Sequence, residues 1–196
     1  MNSGPHIVCD VDGVLAQMVE SLVLVHCGGD AEKRDAVLRD WPPGEYDLGK
    51  VLDKRTFDVW YSIDARMNFW LNIDPTDWAL EMLAELRAIA GRLTVATVPR
   101  IHGMVHKWKW MTGLAPMADD WHLCEPDKSA LAAPGAILID DSDAEARAWI
   151  GAGGLAIVFP QPWNSRHAQA GPDAWRVVME EVRAADEEQA RRPTAG

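Results

Sequence analysis

The sequence predicts an α/β fold: a Rossmann-like core with a central parallel sheet of about five strands, and a small helical cap inserted after the first strand. Three observations predict it. Short apolar runs recur at Ile7–Cys9, Leu93–Val98, Trp121–Cys124, Ala136–Ile139 and Leu155–Phe159, each too short for a helix. Helical stretches lie between successive runs after the first two, the alternation of βαβ units. Between the first run and the second lie about sixty residues, Val14 to Asp74, that read as helices and loops, where a crossover needs only about a dozen. The surplus is expected to form the cap, which divides the chain into a core of residues 1–15 and 75–196 and a cap of residues 16–74.

Each element has a local reason. The first strand stops at Asp10, and Gly13 permits a sharp turn before an apolar helix expected from Val14 to Cys27. Gly28-Gly29 ends that helix, and Asp30 is a plausible cap for a short polar helix to Arg39. Trp41-Pro-Pro-Gly44 reads as a loop, and Val51 to Ile63 as a helix with Phe57 and Trp60 on one side. Arg66 to Asp74 is irregular and aromatic. Pro75 is expected to open the helix Thr76–Ala90, since proline suits a first turn. A basic, tryptophan-rich helix, Ile101–Thr112, follows the second strand. Asp127-Lys128 opens a short helix before the fourth strand, Ser142–Ile150 forms another after it, and a charged, fraying helix from Ala174 to about Arg191 closes the chain.

Bulk properties narrow the function. The chain has 196 residues and a net charge of −11. That surface repels nucleic acid and anionic membrane, and any phosphate site must supply its own cations. No segment reaches the ~18 consecutive apolar residues of a membrane span. The first residues lead directly into a strand with no sign of a secretory leader. Cys9, Cys27 and Cys124 are scattered and odd in number, which disfavours a disulfide framework or zinc site and suits a reducing cytoplasm. The ten tryptophans are read mainly as packing, Trp108 and Trp110 among them. Association with a second copy is left open.

The chemistry gathers at strand ends. In extended chain, Asp10 and Asp12 point to one side, beyond the carboxyl end of their strand, where open α/β sheets bind ligands. Thr97 ends the second strand, Asp140-Asp141 the fourth, and Lys128 precedes the fourth. Paired carboxylates need a cation or a shared proton, and hard Mg2+ prefers oxygen donors and company from phosphate. A set of carboxylates, one hydroxyl and one ammonium suits phosphoryl transfer, which relies on positioning and charge neutralisation.

These residues resemble all four motifs of the haloacid dehalogenase (HAD) superfamily: Asp10-Val-Asp12-Gly-Val, Thr97, Lys128 and Ile-Leu-Ile-Asp140-Asp141. The resemblance spans roughly residues 6–160. It implies that Asp10 is the nucleophile of an aspartyl-phosphate intermediate and Asp12 the general acid and base. It also implies Mg2+ held by Asp10, the Asp12 backbone carbonyl and Asp141, with Asp140 in support. The second Asp implies a phosphatase or mutase, and a cap between the first two motifs implies small-molecule substrates.

Asn68-Phe-Trp-Leu-Asn-Ile-Asp-Pro75, Thr97-Val-Pro99 and Asp127-Lys128-Ser129 further resemble the 5'(3')-deoxyribonucleotidases. That resemblance implies nucleoside monophosphates as substrates, with Phe57, Trp60, Phe69 and Trp70 as candidates for a base-stacking platform. Where that family has Ser after the second-motif Thr, this chain has Val98, and Arg100 is the candidate to replace the lost donor. The loop Pro160-Gln-Pro-Trp-Asn164 is similar to one in phage-encoded relatives.

Plainer readings stand beside these. His102 and His106, four apart, lack a carboxylate companion and read as a solvated face rather than a metal site. The run from Glu180 to Arg192 reads as a solvated helix. Rival functions are a capped phosphatase for another small phosphate such as a sugar phosphate, a non-catalytic nucleotide- or protein-binding module, and a 3'-phosphatase on nucleic-acid ends. The acidic charge disfavours the last.

Overall fold

The computed structural model describes residues 4–64, 66, 68–114 and 117–191. The expectations for residues 1–3, for position 67 in the irregular stretch and for Arg192 lie outside them. Five strands form one parallel sheet: β1 (His6–Asp10), β2 (Arg92–Thr97), β3 (Asp120–Leu123), β4 (Ile137–Asp140) and β5 (Leu155–Val158), in the order β3-β2-β1-β4-β5. β1 is central. Cys9 pairs with Val95 on one side and Ile139 on the other, and Thr97 lies opposite Leu123. A central parallel strand is covered on both faces, so it reads as a continuous apolar run. Accordingly Ile7, Val8 and Cys9 are all buried completely.

The helices are α1 (Met18–His26), α2 (Ala31–Arg39), α3 (Leu48–Val51), α4 (Thr56–Asp64), α5 (Ala79–Ile89), α6 (Met104–Leu114), α7 (Asp143–Gly151) and α8 (Ala174–Arg191). The helices inserted after β1 are α1–α4, with a 3-10 turn at Phe69–Leu71. Ser142 caps α7 by accepting from the Glu145 N–H, and Asp30 caps α2 through Lys33. α8 is no solvated appendage in its first half. It buries Trp175, Val178, Met179 and Val182, each worth roughly 1.5–3 kcal/mol of apolar burial, and packs beside α5.

Three boundaries depart from expectation. The helix expected from Val14 starts only at Met18. Gly13 sits at φ +75°, and the Val11 carbonyl collects the N–H groups of Val14, Leu15 and Ala16, so the chain loops before the helix can begin. Pro75 does not open α5. It pairs antiparallel with Ala16, flanked by Gln17 N–H to Asp74 O (2.9 Å) and Thr76 N–H to Leu15 O (2.9 Å). The chain thus enters and leaves the inserted helices through two segments joined by one antiparallel bridge. The helix expected from Val51 starts only at Thr56, as α4, after the short α3 that ends at Val51, because Asp53 takes φ +50° and Asp47 caps α3 while also accepting from the Thr56 hydroxyl (2.8 Å).

Cys9 is buried and Cys27 and Cys124 half-buried, with no disulfide among the described residues. No described helix is long and apolar enough to cross a membrane.

Candidate active site

The carboxyl ends of β1, β2 and β4 converge on one buried cluster. Asp10 and Asp140 are the last residues of their strands, and Asp141 follows Asp140. Ligand oxygens of Asp10, Asp140 and Asp141 all lie within 4.8 Å of one another. The Lys128 ammonium sits among them, 2.9 Å from Asp10 Oδ1 and 2.8 Å from Asp140 Oδ2, with 3 % of its side chain exposed. Its position is set locally. Asp127 Oδ1 accepts from the Ser129 N–H (2.8 Å) to form the turn, and Glu145 on α7 accepts from the Lys128 N–H (3.0 Å).

One ammonium does not neutralise three buried carboxylates. Burial, then the charge of Asp10, pushes Asp140 up to about 7. Burial, then Asp10 and Asp140, pushes Asp141 well above the ordinary carboxylate range. For Lys128, burial pulls down but Asp10 and Asp140 outweigh it, so its ammonium is held charged. Such a cluster requires protons or a cation. A hard divalent ion with oxygen preference fits the donor set. Both Asp140 oxygens are engaged, one by Lys128 and one by the Ser142 N–H (2.9 Å). Lys128 and Trp163 each engage a single oxygen, of Asp10 and of Asp141 (2.6 Å) respectively. The second oxygens of Asp10 and Asp141 are the natural donors to an ion, and Asp140 holds the lysine.

Asp12 lies on the turn after β1. Its Oδ2 is in direct contact with the Lys107 ammonium and 3.5 Å from the Thr97 hydroxyl, while its Oδ1 is buried without a hydrogen-bond partner. Lys107 is the residue that sequence reasoning missed. In the sequence it is one charge of a basic, tryptophan-rich helix with no role assigned, yet it is buried, inserted between Asp12 and the face of Trp70, 4.5 Å from the ring centre. Burial pulls its ammonium down, and the Asp10 charge opposes this. Gly103, just before α6, and Lys107 and Met111 on it are spaced by four and all buried, so the lysine lies on the inward stripe of its helix.

Two cavities meet here. The polar one, about 290 Å3, is lined by the carboxylate cluster, Thr97, Lys107 and Lys128, together with Val98 and Arg100. The second, about 420 Å3, is mostly apolar and is walled by Trp41, Trp60, Trp163, Met18 and Leu48. Asp12, Asp141, Met18, Tyr46 and Trp60 border both. The four aromatics expected as a platform divide. Trp60 borders both cavities, with the Arg100 guanidinium 5.0 Å from its ring, and Trp70 borders the polar one. Phe57 is 71 % exposed and stacks on Tyr61, and Phe69 is buried edge-on to Trp70, away from both cavities. Phe57 faces solvent because α4 presents Val59 and Ile63 to the core. Trp41, Tyr46 and Trp163 line the site instead, and the isolated loops that carry them give no periodic signal. Trp110 packs as expected, donating to Ile73 O (2.7 Å), whereas Trp108 is partly exposed.

No protein-family model and no curated protein sequence matches the chain. Solved structures do. A haloacid dehalogenase-like family hydrolase from Xanthomonas campestris is similar with TM-score 0.61 and 15 % identity over 96 % of this chain and 99 % of that one. A predicted phosphatase from Clostridium acetobutylicum gives 0.60 and 14 % identity over 92 % and 99 %. A HAD family hydrolase from Deinococcus radiodurans, solved with bound phosphate and sodium, gives 0.52 and 18 % identity over the whole of both chains. The chain therefore has a haloacid dehalogenase-like fold.

Proposed function

We propose that this protein is a Mg2+-dependent phosphomonoesterase, and that its substrates are nucleoside monophosphates, deoxynucleotides foremost. The observation that supports the chemistry most is the convergence of Asp10, Lys128, Asp140 and Asp141 on one buried point at the carboxyl edge of the sheet, with Asp12 lining the same cavity. That the Deinococcus protein was solved with bound phosphate and sodium is consistent with it.

In this reading an Asp10 carboxylate oxygen attacks phosphorus, and the bond from phosphorus to the ester oxygen breaks. Asp12 delivers a proton to the departing oxygen, which leaves as the alcohol. Asp12 then takes a proton from water, whose oxygen attacks the aspartyl phosphate, releasing phosphate and restoring Asp10. Mg2+, when bound, supplies positive charge against the phosphoryl oxygens. Thr97, Lys107, Lys128 and Arg100 bind and orient those oxygens.

The apolar chamber supports the substrate class. A flat base between Trp60, Trp41 and Trp163 keeps its apolar faces in contact, whereas a sugar's hydroxyls would lose hydrogen bonds to water there. Phosphate release from a panel of nucleoside monophosphates and sugar phosphates, with and without Mg2+, tests this. Metal-dependent hydrolysis of nucleotides, absent in Asp10→Asn, is expected. Preference for sugar phosphates would discard the base reading, and wild-type-like turnover by Asp10→Asn would discard the nucleophile.

A further inference from the structure

The loop after β5 does more than close the fold. Gln161, Trp163 and Asn164 are all buried, and their side chains reach back to the site. Gln161 Nε2 donates to the Gly13 carbonyl, Asn164 Nδ2 donates to the carbonyls of Asp141 (2.8 Å) and Phe159 (2.7 Å), and the Trp163 indole N–H donates to Asp141 Oδ2 (2.6 Å). Gly13 faces the same carboxylate: a Cβ there would collide with Asp141 Oδ2. One oxygen of Asp141 is thus enclosed between the motif-one turn and an indole fixed by its own loop and by Trp41, whose ring lies 5.5 Å away.

We propose that Trp163 is a positioning residue that sets which divalent ion the acidic cluster accepts. By engaging one Asp141 oxygen, it leaves the carboxylate a single oxygen to offer. Mg2+ takes one oxygen per carboxylate in tight octahedral order, while Ca2+ accepts six to eight ligands and readily takes both oxygens of a carboxylate. A carboxylate restrained to one oxygen therefore favours Mg2+ and discriminates against Ca2+. Hydrogen-bond partners of ligands commonly govern metal affinity by about 10–100-fold. The inference rests on the reading that Asp10 and Asp141 hold a divalent ion.

Calorimetric titration of the whole protein with Mg2+ and with Ca2+ tests it without recourse to turnover. In Trp163→Phe, which keeps a ring and removes the donor, Mg2+ affinity is expected to fall about tenfold and Ca2+ affinity to fall less or rise, so that the preference narrows. If Phe at this position prevents folding, as circular dichroism would show, β-(3-benzothienyl)alanine replaces the indole N–H with sulfur at nearly constant shape and carries the same expectation. Equal losses for both ions, or no change for either, would overturn the role of Trp163 while leaving the metal site standing. Failure of the wild-type protein to bind either ion would instead overturn the metal reading and this inference with it.

Discussion

Two lysines divide the charge of the site, and only one of them was legible. Lys128 stands in a short motif at a strand-end position, so its residue type and place in the chain pointed to its partners, and the structure puts it between Asp10 and Asp140. Lys107 stands on a helix whose neighbours Lys109, His106 and His102 are polar, and local composition hid the fact that its own stripe points inward. In the proposed mechanism Lys107 holds Asp12 in place and meets phosphate. Lys107→Met, which keeps an aliphatic stem against Trp70, is expected to lower kcat/KM for p-nitrophenyl phosphate by about 10–100-fold, the scale of one charged hydrogen bond. Steady-state kinetics checks this, and an unchanged value would make Lys107 a packing residue. Asp12→Asn removes the proton donor. Its rate loss should be at least tenfold greater for a nucleotide, whose leaving alcohol needs the proton, than for p-nitrophenyl phosphate, whose phenolate does not. Parallel rate measurements on the two substrates decide it.

At the level of elements, the strands and α2 were read almost to the residue, and the starts of α1 and α4 were not. A fully buried parallel strand announces itself by composition alone, as Ile7–Cys9 and Ile137–Ile139 do. The break at Val14–Gln17 rests on the turn at Gly13 and on the pairing of Ala16 with Pro75, and that at Leu52–Arg55 on Asp53 at positive φ and the Asp47–Thr56 hydrogen bond. Apolar periodicity, which marks the helices, encodes neither. The same gap explains the aromatics. Residue type marked Phe57 and Trp60 equally, three apart on α4, yet only Trp60 turns to the cavities. Trp60→Ala should raise KM for a nucleoside monophosphate about tenfold, given ~1–3 kcal/mol per stacked base in single-strand binders. Phe57→Ala should leave KM within twofold. Michaelis–Menten analysis of the pair separates them, and equal effects would remove Trp60 from the substrate site.

For the whole molecule, the buried acidic cluster couples stability to pH and to metal. Burial and Asp10 raise Asp140, and burial, Asp10 and Asp140 raise Asp141, so the folded protein retains protons that the unfolded chain has already lost. Rising pH therefore favours unfolding, from the ordinary carboxylate range up through about 7, where Asp140 titrates. In the presence of a chelator, the difference in melting temperature between Asp141→Asn and the wild type should shift toward the mutant between pH 5 and pH 8. Added Mg2+ should stabilise the wild type increasingly over the same range, as protons no longer compete for the oxygens. Thermal melts at both pH values check the sign. A difference independent of pH would mean that the cluster carries no strained charge.

The pairing of Ala16 with Pro75 bears on how such a chain can vary. Because the excursion that begins at residue 17 returns beside its own starting point, the sheet perceives it as little more than a tight turn between neighbouring positions. Closing a loop whose ends are already adjacent costs almost the same whether the loop is short or long, growing only as the logarithm of its length. Lengthening or shortening the excursion away from its core contacts therefore carries little closure cost and leaves the register of the five strands undisturbed.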